Sequence, residues 1–147
     1  MFREALPTLT PCHCGVLRQA SRHVSLAYDA ALAPVGLKTT QMSLLVAIDQ
    51  AEGGTTLQEL AKALVMDRST LGKNLRPLER EGLISLQKGA VDARRRQVSL
   101  TEDGQARLAK AIPLWRQAQA RFENAFGTRA TAELRENLYN LTTTKLN

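Results

Sequence analysis

Two groups of side chains in this sequence could do chemistry. The first is Cys12-His13-Cys14, two thiols flanking an imidazole. Thiolates are nucleophiles towards peroxides and soft ligands for metals. Three readings stay open: thiol oxidation at Cys12 or Cys14, two small packing residues, or metal binding. The cluster supplies at most three soft ligands, and no second cluster completes a tetrahedral zinc site, so no metal ligand is assigned. The spacing is also too tight for an ordinary disulfide framework. His23 reads as a surface or interface residue.

The second group is basic. Arg68, Ser69, Thr70, Lys73, Asn74 and Arg76 fall within nine residues, and Asp92, Arg94, Arg95 and Arg96 follow. From Arg68 to Arg96 eight basic side chains stand against three acidic ones, so this stretch holds most of the formal net charge of +6. Such a field is the footprint of a polyanion, although a solvated basic face would look the same. The residue types suit a duplex. Arg can bind guanine and Asn can bind adenine in bidentate fashion, while Ser, Thr and Lys more often bind phosphate.

The elements that must position these groups are mostly helical. A helix is expected from Pro11 to Ala33, with Val16, Ala20, Val24, Ala27, Tyr28 and Ala31 at helical spacing, ended by Pro34-Val35-Gly36. A second runs from about Thr39 to Gln50 with Met42, Leu45, Val46 and Ile48 as its apolar residues. Thr56 and Glu59 form a capping box for a short third helix reaching about Leu64. Asp67 caps a fourth, Arg68 to about Arg80, with Leu71, Leu75 and Leu78 inward and Gly82 as its stop. Gly72 in this helix either admits the duplex or relieves crowding against a neighbouring helix.

The period then changes from helical to alternating. Leu83–Leu86 is an expected strand, Gly89–Asp92 a turn, and Arg96, Val98 and Leu100 the inward or outward set of a return strand. Thr101 caps a long helix with Leu108, Ala111, Ile112, Trp115, Ala118, Phe122 and Phe126 as its stripe. Pro113 is expected to kink it. After Gly127 a last helix carries Leu134, Leu138 and Leu141. The fold class is therefore mostly α with a small β-hairpin wing: a winged helix-turn-helix at 39–102, and a helical dimerisation region at 1–38 and 103–147.

With these elements in place, the sequence resembles a family. Asp92-Ala93-Arg94 followed by Leu100-Thr101-Glu102-Asp103-Gly104 is similar to the D-x-R…L-T-x-x-G signature of multiple-antibiotic-resistance regulators, the MarR family. Leu78-Glu79-Arg80-Glu81-Gly82-Leu83-Ile84 is similar to that family's L-E-x-x-G-L-I join. The resemblance implies a homodimer whose first and last helices intertwine and whose two winged domains straddle a pseudo-palindromic operator. It implies that Arg94, oriented by Asp92 and flanked by Arg95, enters the minor groove. Pro77 departs from an unbroken reading helix.

The N-terminal part is similar to the organic-hydroperoxide-sensing branch of that family. Cys14 would be the reactive thiol, followed by Ser21-Arg22 and by Tyr28 as hydrogen-bond partner of the sulfur. A second tyrosine expected near Thr39 is missing. A helix N-terminus and a protonated His13 would favour a thiolate. Tyr28 lies fourteen residues after Cys14, about 21 Å along one helix, so contact would need a partner subunit.

The expected function is that of a transcriptional regulator, a repressor released by thiol oxidation or by a small ligand. The alternative is a winged-helix protein-interaction module without operator binding. The expected partners are double-stranded DNA, a second copy of the chain and a peroxide or small-molecule effector. No cofactor is expected. No enzyme signature appears: there is no G-x-S-x-G, no Gly-rich phosphate loop and no H-E-x-x-H. The sequence contains no apolar run of membrane-spanning length, and the N-terminus lacks a signal-peptide core, so a cytoplasmic location is expected.

Overall fold

The computed structural model describes residues 12–88 and 96–147. Helix α1 spans His13–Leu32 and passes into a 3₁₀ turn, Ala33–Val35, closed by Gly36 in the left-handed conformation. Helix α2 is Thr39–Gln50, strand β1 is Thr55–Thr56, α3 is Leu57–Ala63 and α4 is Arg68–Arg80. Strands β2, Ile84–Gln87, and β3, Gln97–Leu100, form the wing. Helices α5, Glu102–Phe126, and α6, Thr128–Thr143, complete the described chain. Both α4 and α5 run unbroken through their internal prolines, Pro77 and Pro113.

The caps are where the sequence puts them. Thr56 Oγ1 accepts from the Glu59 amide and a Glu59 carboxylate oxygen accepts from the Thr56 amide, both at 3.1 Å. Thr101 Oγ1 accepts from the Gly104 amide at 3.0 Å. One strand was not legible as a strand. Thr56 caps α3 while belonging to β1, which pairs antiparallel with β3 through Thr55↔Val98 and Thr56↔Gln97. The sheet therefore has the order β1-β3-β2, with Leu86 opposite Val98 on the hairpin side.

One core joins the elements. Leu44, Leu45, Leu60, Leu71, Leu75, Leu78, Leu83 and Val98 are all almost completely buried. Leu44 was not among the expected apolar residues of α2; it lies one position from Leu45, off the simple stripe, and is covered because α2 packs against several elements at once. Leu32 from α1 and Leu108 and Ala111 from α5 belong to the same core. The rest of the helical region is different. On α1 only Leu32 is buried, and on α6 only Thr131. Val16, Leu17, Leu26, Phe126, Leu138 and Tyr139 are exposed in the single chain.

Candidate nucleic-acid interface

Helix α4 is amphipathic, with one side packed and the other free. Leu71, Leu75 and Leu78 point into the core. At about 100° per residue, Ser69, Lys73, Arg76 and Arg80 fall within a sector of about 60° on the opposite side. All four are exposed. Gly72 lies about 40° outside that sector, between Arg68 and Arg76 around the helix, and a Cβ built there would meet nothing within 4 Å. Crowding against a neighbouring helix in this chain therefore does not explain the glycine.

The helix-turn-helix turn sets where α4 begins. Asp67 Oδ1 accepts from the Thr70 amide and Oδ2 from the Thr70 hydroxyl, each at 2.7 Å. These two donors, the amide first, hold the Asp67 carboxyl below its usual range. The Thr70 hydroxyl hydrogen is thus committed to the cap, which leaves its oxygen as an acceptor. Asn74 is half-buried, and its amide nitrogen lies 3.9 Å from Met66 Sδ. Arg68 and Ser69 are exposed in the first turn. Asp92, Arg94 and Arg95 lie outside the described residues, whereas Arg96 is exposed just before β3.

The two turns that frame α4 are built alike. Helix α3 ends with the Met66 amide on Ala61 O and the Val65 amide on Lys62 O. Helix α4 ends with the Leu83 amide on Leu78 O and the Gly82 amide on Glu79 O. Both are Schellman closures, which need one residue at positive φ. Gly82 supplies φ 72° without strain, but at the first turn Val65 sits at φ 53°. A β-branched residue is an outlier in that region.

The wing is fastened to α5 by a contact that sequence reasoning saw only as a signature. The Thr101 hydroxyl donates to Gly82 O at 2.6 Å, and the Thr101 amide donates to Leu83 O at 3.1 Å. A Cβ on Gly104 would lie 2.0 Å from Leu83 O. The glycine of L-T-x-x-G therefore lets α5 pass directly over the glycine turn of L-E-x-x-G-L-I. The two segments are one joint.

At the other end of the molecule Cys12 caps α1: its sulfur accepts from the Gly15 amide at 3.4 Å. Cys12 and Cys14 are both exposed, free thiols. Tyr28 does not meet either within the chain. Its hydroxyl donates to Gln119 on α5, and burial, then the Glu123 carboxylate, raises its pKa above the ordinary phenol value. Tyr28 and Gln119 line a mainly apolar cavity of about 360 Å³ between α1, α5 and α6, with Phe122, Leu134, Leu138 and Tyr139. Among the described residues no group of three His, Cys, Asp or Glu side chains is placed to hold a metal ion.

Comparison with known proteins places this architecture. The MarR family model matches residues 35–95, from the end of the 3₁₀ turn to just before β3. The transcriptional regulator MosR of M. tuberculosis, in complex with DNA, is 40% identical, with a TM-score of 0.81 over 89% of this chain and 93% of that one. The chain belongs to the MarR family. It is a DNA-binding transcriptional regulator, not an enzyme and not an interaction module of another kind. The transcriptional repressor CouR, bound to a 23-mer DNA duplex, is 27% identical with a TM-score of 0.79, covering 89% of this chain and 92% of that one. The organic hydroperoxide resistance transcriptional regulator of Bacillus subtilis (strain 168) is 29% identical over 101 residues, 69% of this chain and 68% of that protein. No single described helix is long and apolar enough to cross a membrane.

Proposed function

We propose that this MarR regulator works as a homodimeric repressor on a pseudo-palindromic operator. Helix α4 enters the major groove and the wing reaches the adjacent minor groove. The observation that carries the groove assignment is the division of α4: three leucines in the core, and Ser69, Lys73 and Arg76 together on the free face. Arg68, Ser69 and Lys73 are the first-turn and mid-helix contacts, with Arg76 one turn further. Thr70 contributes as an acceptor and Asn74 once its amide turns from Met66. In the wing Arg94, oriented by Asp92, takes the minor groove, whose negative potential is enhanced where it is narrow, and Arg95 binds the backbone beside it.

Dimerisation is supported by the exposed apolar residues. Val16, Leu17 and Leu26 on α1, and Leu138, Tyr139 and Leu141 on α6, face solvent in one chain. Burying such surface contributes about 25 cal/mol per Å². The proposed division is thus a helical dimerisation region at 1–38 and 103–147 around a winged domain at 39–102. Light scattering at micromolar concentration should give twice the chain mass, and a monomer would overturn it. Gel shifts on duplexes enriched by the protein from a random pool should show steep salt dependence. Equal affinity for all duplexes would overturn operator recognition.

The releasing signal has two readings, each with its own observation. The first is oxidation: Cys14 is free and exposed next to Cys12, and the Bacillus subtilis relative is an organic hydroperoxide resistance regulator. The Cys14 thiolate attacks one peroxide oxygen, the O–O bond breaks, and the alkoxide leaves and takes up a proton as the alcohol. Cys12 of the same or the partner chain can then displace water from the sulfenic acid, forming a disulfide. Tyr28 of the partner, if it left Gln119, could bond the Cys14 sulfur. The second reading is a small ligand, favoured by the cavity beside Tyr28, which is within the usual size range of ligand sites. Operator binding before and after organic hydroperoxide, in wild type and Cys14→Ser, separates them. Equal release of both proteins, or of neither, sends the search to small molecules.

A further inference from the structure

Where the helical arm meets the winged domain, the chain turns a corner, and four polar contacts hold it. Asp29 on α1 accepts from the Thr39 amide at the start of α2, at 2.7 Å, and pairs with Lys38 at 3.8 Å. Arg107, on the second turn of α5, donates through Nη1 to Val35 O at 3.1 Å. The same nitrogen lies 3.8 Å from Glu81 Oε2. Val35 ends the 3₁₀ turn, so its carbonyl is one of the groups a helix end leaves without a partner. Glu81 is the C-cap of α4. One guanidinium thus touches the corner of the arm and the end of the reading helix, segments far apart in sequence.

The surroundings keep that slot open. Gly36 has φ 67°, and a Cβ there would lie 3.6 Å from Arg107 Nη1. A side chain at 36 would be strained by that φ, while its Cβ would only touch the guanidinium. The ion pair to Glu81 is half-exposed and by itself worth little. The charge-assisted bond to Val35 O, which joins α5 to the corner of the arm, is the stronger tie, and it holds the guanidinium where Glu81 of the head meets it. Geometry gives it weight: in a dimer two half-sites one turn apart are about 34 Å from centre to centre. A head that swings by about 5° at half that radius moves its reading helix by about 1.5 Å, more than a hydrogen bond tolerates.

We propose that Arg107 is a positioning residue that fixes the angle of each winged head to its arm, and so the half-site spacing that the dimer accepts. The proposal rests on the dimeric operator-binding reading above. Its signature is a loss on two half-sites without a loss on one.

The test uses the full chain and duplexes enriched by wild type from a random pool. Each duplex is then remade with a single half-site, and with one base pair added or removed between half-sites. Arg107→Ala should bind the two-half-site duplex about tenfold more weakly, as for one lost charge-assisted bond. It should bind the single half-site like wild type and distinguish the spacing variants less. Arg107→Lys, which keeps the charge and a donor, should fall in between; if Arg107→Ala does not fold, Arg107→Lys carries the comparison. Equal weakening of both duplexes would make Arg107 a mere stabiliser of the head and overturn the proposal. So would unchanged binding with unchanged spacing preference. A wild type that enriches no two-half-site sequence overturns the operator reading itself, and the proposal with it.

Discussion

Gly104→Ala tests the joint between wing and arm. The new Cβ would sit 2.0 Å from Leu83 O and 3.0 Å from Leu83 C. A carbon and a carbonyl oxygen need more than 3 Å, so one backbone must retreat by over 1 Å. Neither is free to do so. Leu83 O already accepts from the Thr101 amide, the Leu83 side chain is fully buried, and Gly82 O accepts from the Thr101 hydroxyl. Overpacking of this kind costs about 1–3 kcal/mol and here belongs at the upper end. Alanine returns about 1 kcal/mol of helix propensity. The net loss is about 2 kcal/mol, which for a chain of this size lowers the melting temperature by about 4–8 °C. The assay is urea and thermal unfolding at equal protein concentration, since the stability of the proposed dimer would depend on concentration. A variant as stable as wild type, or more so, would show that the close passage of α5 over Leu83 is not required and that the joint is loose.

Other outcomes follow from the reading head. Val65→Asn should raise stability by about 1 kcal/mol, because Asn tolerates the left-handed region that Val65 occupies at φ 53°; an unchanged denaturation midpoint would mean that the turn relaxes without cost. Gly72→Ala should stabilise α4 by about 1 kcal/mol while weakening operator binding several-fold, since its open side in the free chain is where the duplex approaches; unaltered affinity would place Gly72 away from DNA. Arg94→Ala should weaken operator binding by about 1–3 kcal/mol per half-site with the fold intact. Lys73→Ala should weaken all sequences alike and flatten the salt slope by about one. Identical sequence preference and affinity in Arg94→Ala would show that the wing does not touch DNA.

The fold was legible wherever local chemistry decides structure. Thr56, Asp67 and Thr101 announce their helices because each cap is settled within four residues, and Leu71, Leu75 and Leu78 announce the inner face of α4 by spacing alone. What stayed hidden depends on contacts distant in sequence. Strand β1 is two residues long and exists only because β3 lies beside it. Leu44 breaks the stripe of α2 because that helix is covered from several sides. Arg107 carries no local signal; its partners Val35 and Glu81 come from other turns of the chain. At the site, the residue types of α4 were readable, but not that the Thr70 hydroxyl serves the cap or that Asn74 faces Met66. Nor could spacing show that Cys12 caps α1 while Tyr28 is engaged by Gln119.

The course of the core constrains how a signal at one end could alter DNA binding at the other. Leu32 of α1 and Leu108 and Ala111 of α5 are buried with the leucines of α4 and with Val98 of the wing. The end of α1 and the first turns of α5 are therefore packed against the head, in an interior that resists deformation. Thr101 and Gly104 lock the wing to that same block. Beyond it, α1 and α6 hold little buried surface in one chain, and their apolar residues wait for a partner. A chemical change at Cys14 or in the cavity beside Tyr28 meets the molecule in this less committed part. In the proposed dimer the economical response is to shift how the two arms pair, carrying each head as a rigid lever. Distorting α4 itself would instead require a core of fully buried leucines to repack. Packed interfaces have discrete alternatives where packed cores do not bend continuously. In the proposed dimer, release from DNA would then be a change of spacing between two intact heads.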